Sequence, residues 1–141
     1  IMNITNIKYN DFIEKENIGS NCLPIYYKIY DLLQLNNSSD YIMLKANIND
    51  KIVGFIITEK INDYLHIMSI AILKKYRNQN IGSKLINFIK NTYDKITLFV
   101  QASNKIAINF YEKNLFTKTS LLENYYENLK CNDAFLYTYE K

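Results

Sequence analysis

Cysteine, proline, glycine and tryptophan are scarce in this chain. Its 141 residues include two cysteines, one proline, three glycines and no tryptophan. Cys22 and Cys131 have neither CxxC spacing nor a neighbouring histidine, so we expect no zinc site and no redox pair. We therefore expect two free thiols in a reducing compartment, and no metal site is predicted.

Long apolar runs and clustered charges are also missing. No stretch approaches the ~20 apolar residues of a membrane span, and the first residues lack the basic and apolar regions of a secretion signal. The net charge is +3, with 17 lysine and arginine residues dispersed along the chain. Such a charge favours an anionic small ligand but not a nucleic acid. We predict a cytoplasmic protein that binds neither membrane nor nucleic acid directly.

The hydrophobic pattern predicts an α/β protein (an α+β mixed sheet) with a single domain over residues 1–141. Apolar and β-branched runs predict about seven strands, at 3–9, 41–47, 51–59, 65–73, 96–102, 116–122 and 134–139. Helical spacing predicts about four helices, at 11–18, 25–35 and 81–93 and after an N-cap at Ser103 and Asn104. The residues Ile48-Asn49-Asp50 between two strand-like runs indicate a hairpin, and the strand, helix, strand order over 65–102 predicts a parallel pair.

The stretch 65–86 changes its hydrophobic period halfway. Its first half is apolar and branched, which is typical of a strand buried on both faces, and its second half has helical spacing from Ile81. The polar loop between the two halves contains Arg77, the only arginine of the chain, and leads to Gly82. Because the first turn of a helix has unpaired N–H groups and a partial positive charge, this arrangement predicts an anion site.

Two motifs resemble signatures of the GNAT superfamily of acetyl-CoA-dependent N-acetyltransferases. Arg77-x-x-Asn80-x-Gly82 resembles Arg/Gln-x-x-Gly-x-Gly/Ala, with an asparagine where the first glycine is expected. Asparagine tolerates left-handed backbone geometry better than other non-glycine residues. The segment 100–104, Val-Gln-Ala-Ser-Asn, and the following residues 107–113 are similar to the second signature.

The resemblance implies the GNAT acyl-CoA N-acyltransferase fold, acetyl-CoA as cofactor and CoA as product. In that family the asparagine of the second signature binds the pantetheine arm and the tyrosine protonates the departing thiolate, roles that would fall to Asn104 and Tyr111. The implied cofactor-binding residues are Ile70, Ala71, Ile72, Arg77, Asn78, Gln79, Asn80, Ile81, Gly82, Ser83, Asn104 and Tyr111. From the pattern alone, Arg77 could equally be a surface cation and Tyr111 a core aromatic.

Three further segments, at 23–27, 65–68 and 124–126, resemble the NatE-type N-alpha-acetyltransferases. This resemblance implies a protein or peptide N-terminus as substrate, and we expect that N-terminus to begin with methionine. The implied substrate-binding residues are Leu23, Pro24, Ile25, Tyr27, Met68, Tyr125, Tyr126 and Leu129. The first loop has no acidic residues, which disfavours a polyamine acceptor.

The chain departs from the resembled pattern at its catalytic positions. That family has a tyrosine two residues before the strand methionine and a histidine three residues before the Ser-Asn pair, whereas this chain has His66 and Phe99. His66 is the only histidine, and we expect it to act as the base that deprotonates the amine, with Tyr111 as the second catalytic residue. A simpler alternative for His66 is an imidazole with a structural hydrogen bond. Leu115 also stands where a glycine usually precedes the aromatic residue.

The expected reaction is direct attack of the amine on acetyl-CoA, without a covalent enzyme intermediate. Two alternatives stay open from the sequence. One is an acetyltransferase for small-molecule or lysine amines. The other is a weakly catalytic GNAT-fold subunit of an N-terminal acetyltransferase complex, with other subunits or the ribosome as partners; Asn80 and Phe99 favour this alternative.

Overall fold

The computed structural model of the protein describes residues 2–8, 40–127 and 129–141. The strands are β1 (Met2–Asn6), β2 (Tyr41–Ile48), β3 (Lys51–Ile61), β4 (Tyr64–Ile72), β5 (Lys95–Gln101), β6 (Thr117–Leu122) and β7 (Ala134–Glu140). They form one mixed sheet in the order β1-β2-β3-β4-β5-β7-β6, which confirms the seven predicted strands. The described α-helices are α1 (Ile81–Lys90) and α2 (Lys105–Lys113), and a 3-10 turn spans Lys74–Tyr76. The helices predicted at 11–18 and 25–35 lie outside the described residues.

Strands β1 to β4 pair antiparallel in chain order, and two-residue turns join β2 to β3 and β3 to β4. Asn49 and Asp50, between β2 and β3, have φ of 50° and 63°. A two-residue hairpin turn of type I′ needs positive φ at both positions, and asparagine and aspartate accept it at low cost. The predicted hairpin is therefore confirmed, together with the local reason for it.

The parallel pairing of β4 with β5 is short. It covers three residue pairs, from Leu65 with Ile96 to Ile67 with Leu98. Beyond these pairs β4 stays bonded to β3 and β5 stays bonded to β7, but β4 and β5 no longer bond each other. The predicted parallel pair is confirmed, and a cleft opens where the two strands diverge.

Met68 forms a β-bulge in β4. Its two neighbours pair with the adjacent residues Ile57 and Thr58 of β3, so Met68 has no partner across this ladder. The bulge exchanges the faces of the strand, since Leu65 before it lies in one core cluster and Ala71 after it lies in the other. The strand alternates buried and half-buried residues. Both core clusters pack against β4 and none of its residues is exposed, but only every second residue is fully buried, so the predicted burial on both faces is confirmed in part.

The larger core cluster lies between the sheet and the two helices. Helix α1 buries the apolar positions that its spacing predicted: Ile81, Leu85, Ile86 and Ile89. The helix ends at Lys90 rather than near residue 93. The N–H groups of Thr92 and Tyr93 both bond to the carbonyl of Ile89, which tightens the chain into a turn.

Helix α2 ends in a Schellman motif. The N–H of Phe116 bonds to the carbonyl of Tyr111, and the N–H of Leu115 bonds to that of Glu112. The rings of Phe116 and Tyr111 also meet edge to face, with centroids 5.9 Å apart. This motif needs a left-handed residue after the C-cap, and Leu115 occupies it with φ of 69°. The glycine that the resembled family has here is therefore replaced by a strained leucine.

Candidate active site

A cleft of about 200 Å³ lies where β4 and β5 diverge. The described residues that line it belong to β4, the end of β5, helix α2 with its N-cap, and the loop between β6 and β7. The lining residues are His66, Ile67, Met68, Ser69, Ile70, Phe99, Val100, Gln101, Asn104, Ala107, Tyr111, Tyr125, Tyr126 and Leu129. The cleft thus brings together predicted catalytic, cofactor-binding and substrate-binding residues. Leu23, Pro24, Ile25 and Tyr27, also predicted to bind substrate, lie outside the described residues.

His66 belongs to the middle one of the three residue pairs that join β4 and β5, just before the two strands diverge. Its Nδ1 is 2.8 Å from the hydroxyl of Thr97, which is opposite in the register and buried. Partial burial lowers the pKa of His66 below its ordinary value of 6.5, because desolvation disfavours the imidazolium. The ring is therefore neutral at neutral pH. Since Nδ1 is paired with Thr97, Nε2 is the nitrogen left to act in the cleft.

A row of aromatic rings continues from His66 across the cleft. The ring centroids of His66 and Phe99 are 4.9 Å apart, and those of Phe99 and Tyr125 are 4.7 Å apart. Tyr125 in turn meets Tyr126 edge to face at 5.0 Å. The two positions that depart from the resembled family, 66 and 99, are therefore in direct contact. Phe99 cannot transfer a proton, so it acts as an apolar wall that supports the imidazole and Tyr125.

Tyr111 combines a core position with a cleft position. Tyr111 is 8% exposed. Its ring packs against Phe116, and the residue also lines the cleft. Burial is the main cause that raises the pKa of its phenol, and the nearby Tyr126 adds to it. The phenol is consequently protonated throughout the neutral range. It can act as a hydrogen-bond donor or a proton donor, but not as a base.

Asn104 is the N-cap of α2 and lines the same cleft. Its side-chain Oδ1 accepts the N–H of Ala107 at 3.2 Å. This contact confirms the predicted cap and fixes the orientation of the amide, leaving the Nδ2 end for a bound ligand. The cap therefore places a polar donor in the cleft that Tyr111 also lines.

The predicted phosphate loop lies outside the cleft, before α1. Asn80 is the N-cap residue with φ of 62° and ψ of 16°, so the predicted left-handed asparagine is confirmed. Its side chain makes no capping bond, which leaves the first N–H groups of the helix, up to Ser83, without that partner. Asn78 is also left-handed, with φ of 62°. Arg77 donates from Nε to the carbonyl of Ile72 at 3.0 Å, so it also ties the loop to the end of β4.

Gly82 has a packing role that its place in the signature did not reveal. It is buried, and a Cβ on it would lie 2.9 Å from Cζ of Phe110 in α2. Gly82 therefore lets the two helices that carry the two signature motifs approach closely.

The predicted cofactor residues of β4 divide between cleft and core. Ile70 lines the cleft, but Ala71 is 5% exposed in the second core cluster and Ile72 packs against the first. Any contact of Ala71 with a ligand must therefore use its backbone. Met68 lines the cleft and also packs against the second core cluster.

Sequence reasoning missed Thr97 and Gln101. The expected register of β4 with β5 is a signal that could have placed Thr97 opposite His66. Gln101 stands inside the second signature, but its partner, the carbonyl of Cys131, is 30 residues away. No local pattern predicts such a contact.

Among the described residues, no helix is long and apolar enough to cross a bilayer, and no group of three or more His, Cys, Asp or Glu side chains could hold a metal ion. Cys131 is a half-buried free thiol. Cys22 lies outside the described residues.

A family model described as the acetyltransferase (GNAT) family matches residues 7–115. The chain belongs to the GNAT family. Among its relatives, the N-alpha-acetyltransferase 50 of Danio rerio is 40% identical over 76 residues, covering 50% of this chain and 45% of that protein. The N-alpha-acetyltransferase of Sulfurisphaera tokodaii is 26% identical over 151 residues, covering 94% of this chain and 89% of that protein. The match thus spans less than half of the length of the zebrafish relative.

Solved GNAT structures share the fold over nearly the whole chain. The Arabidopsis thaliana Naa50 in complex with the bisubstrate analogue CoA-Ac-MVNAL has a TM-score of 0.85 at 24% identity, covering 99% of both chains. The ribosomal-protein-S18-alanine N-acetyltransferase from Escherichia coli has a TM-score of 0.87 at 23% identity, covering 99% of this chain and 94% of that chain. At such identities these structures establish the GNAT fold of this chain.

Proposed function

We propose that this protein is an acetyl-CoA-dependent N-alpha-acetyltransferase that acetylates protein or peptide N-termini beginning with methionine. One observation carries the proposal: the cleft where β4 and β5 diverge is lined together by Asn104 and Tyr111 and by His66, Met68 and Tyr125. The relatives named as N-alpha-acetyltransferases support the same reaction class.

The cofactor side of the proposed site consists of two parts. The backbone from Arg77 to Ser83 would hold the pyrophosphate, since the left-handed Asn80 presents the uncapped start of α1. The amide of Asn104 and the β4 backbone near Ile70 would hold the pantetheine arm. Acetyl-CoA supplies an activated thioester carbonyl for transfer.

The amine must lose a proton to become a nucleophile. With a pKa of about 7.7 to 8.0, a free α-amine is already partly neutral near neutral pH, so a weak base suffices. His66 is the proposed base, because burial lowers its pKa and keeps the ring ready to accept a proton. In the tautomer whose Nδ1–H donates to the Thr97 hydroxyl, Nε2 is unprotonated and takes the proton directly or through a water molecule.

The transfer itself forms one bond and breaks another. The neutral amine attacks the thioester carbonyl and the new C–N bond forms; the C–S bond breaks with CoA leaving as a thiolate, and the nitrogen releases its extra proton to water. Tyr111, held protonated by burial, gives its proton or a hydrogen bond to the sulfur. No enzyme nucleophile is required, and Cys22 has no role in this scheme.

The lining favours an apolar first residue over a polyamine. Met68, Tyr125 and Leu129 offer apolar surface for a methionine side chain, and Tyr126 offers a hydroxyl to the peptide backbone. No carboxylate is present among the described lining residues, although a polycationic acceptor would call for one. Leu23, Pro24, Ile25 and Tyr27 stay predicted members of this slot.

The direct test is incubation of purified protein with acetyl-CoA and a library of peptide N-termini, with products located by mass spectrometry. We expect acetyl groups on the α-amine of methionine-starting peptides. Acetylation of spermidine-like amines or of lysine side chains alone would overturn the proposal.

A second candidate is a weakly catalytic subunit of an N-terminal acetyltransferase complex that works with other subunits or near the ribosome in the cytoplasm. The contact of Phe99 with His66 favours it, because no second proton-transferring side chain stands at position 99. Tight acetyl-CoA binding without product in the same assay would support this candidate over the first.

A further inference from the structure

The loop over residues 123–133, between β6 and β7, carries cleft residues without being helix or strand in its described part. We call it the β6–β7 loop. It carries Tyr125, Tyr126 and Leu129 to the cleft. A segment without regular structure needs specific hydrogen bonds to hold side chains in place. The source of those bonds therefore decides how well the substrate side of the cleft is formed.

Some of these bonds are internal to the loop. The carbonyl of Asn132 accepts the N–H of Tyr126 at 2.9 Å, and its Oδ1 accepts the N–H of Leu129 at 3.2 Å. The carboxylate of Asp133 accepts the N–H of Asn124 at 3.0 Å. Such contacts give the loop its shape, but they do not fix its position on the sheet.

The position comes from the end of β5. The side chain of Gln101 donates from Nε2 to the carbonyl of Cys131 at 2.7 Å, and the next N–H, of Ala102, donates to the carbonyl of Asp133 at 2.8 Å. Gln101 also pairs with Ala134, the first residue of β7. The backbone contacts continue the ladder of β5 with β7 and would survive a change of side chain. The Gln101 side chain adds an anchor further into the loop.

Gln101 is also a lining residue of the cleft, two positions after Phe99 and three before Asn104. Phe99 packs against Tyr125, so β5 holds the β6–β7 loop at a ring contact and at an amide contact. Resting on the proposed function, we propose that Gln101 is a positioning residue for the peptide acceptor: its bond to Cys131 holds the β6–β7 loop where Tyr125, Tyr126 and Leu129 form the substrate wall.

The test compares Gln101→Glu with the wild type. An ionised glutamate keeps the shape of glutamine but cannot donate to the Cys131 carbonyl. Losing a hydrogen bond of this kind changes an equilibrium constant by about fivefold, which corresponds to ~1 kcal/mol. We expect KM for a methionine-starting peptide to rise about fivefold or more, while the acetyl-CoA Kd, measured by calorimetry, changes by less than about twofold. Asn109→Asp, on the exposed surface of α2, is the matched control for the added charge.

Hydrogen exchange of the loop provides a readout that does not depend on activity. In Gln101→Glu, we expect the amides of Tyr126 and Leu129 to exchange faster, while those of α1 keep their wild-type rates. Unchanged exchange in the loop would overturn the proposal, as would an acetyl-CoA affinity that falls in step with the peptide affinity. If the wild type acetylates no peptide, the proposed function fails, while the exchange rates still test separately whether the bond from Gln101 to Cys131 holds the β6–β7 loop.

Discussion

At Leu115 we predict that a glycine variant is more stable than an alanine variant, which is the reverse of the usual order. The residue follows the C-cap of α2 with φ of 69°, and its neighbours form the Schellman bonds that end the helix. At most positions glycine is less stable than alanine, because glycine has more backbone freedom to lose on folding. At Leu115 we expect the opposite order, since glycine alone accepts the left-handed geometry without a steric penalty from Cβ.

The magnitude follows from two opposing terms. A left-handed conformation costs roughly 1–2 kcal/mol for a residue with a Cβ. Glycine has no Cβ and avoids this cost. Its greater conformational entropy in the unfolded chain, however, lowers the free energy of unfolding by about 0.4–1 kcal/mol relative to alanine. Leu115 is 71% exposed, so comparing alanine with glycine at this position removes the small packing loss that both variants share. We expect Leu115→Gly to be more stable than Leu115→Ala by about 0.8 kcal/mol, or a melting temperature higher by ~2–3 °C.

The assay is urea and thermal unfolding of the two variants, followed by circular dichroism. Leu121, an exposed residue of β6 without positive φ, supplies the matched pair. There we expect Leu121→Ala to be more stable than Leu121→Gly. The reasoning is refuted if alanine is the more stable residue at both positions, because Leu115 would then carry no relievable strain.

Three other changes test the site. His66→Phe should lower kcat and remove the acid limb of its pH profile, which should lie below pH 6.5 in the wild type because burial lowers the pKa of the base; a variant with full turnover and an unchanged limb contradicts the base role. Tyr111→Phe should lower kcat more than acetyl-CoA affinity, and equal losses in both would point to packing alone. Ser69→Ala should raise the free energy of unfolding by about 1 kcal/mol in urea titrations, since the buried Ser69 hydroxyl has no hydrogen-bond partner among the described residues; lower stability would show that this hydroxyl is bonded.

Local patterns predicted most of the described fold. The spacing of Ile81, Leu85 and Ile86 identified the buried face of α1, and Asn49 with Asp50 identified a hairpin turn. These features depend on neighbouring residues, so a sequence contains their signal. The left-handed geometry of Asn80 was predictable for the same reason, because asparagine is among the few residues that adopt it readily.

Contacts between distant segments were not predictable in this way. The bulge at Met68 depends on the register of β3, and the need for glycine at position 82 depends on Phe110 of the other helix. The bond from Gln101 to Cys131 depends on the path of a loop 30 residues away. The resemblance to a family placed the candidate residues in one site, but their partners emerged only from the packed structure.

A competition experiment tests the central claim most directly. Purified protein and limiting acetyl-CoA would be mixed with equal amounts of a peptide beginning Met-Val-Asn-Ala-Leu, the same peptide with its α-amine blocked and an added lysine, and spermidine. Fragmentation mass spectrometry then locates each acetyl group. We predict that the acetyl group is found predominantly on the α-amine of the methionine peptide. Acetylation mainly of the blocked lysine peptide or of spermidine would contradict the assignment of this cleft to N-terminal acetylation.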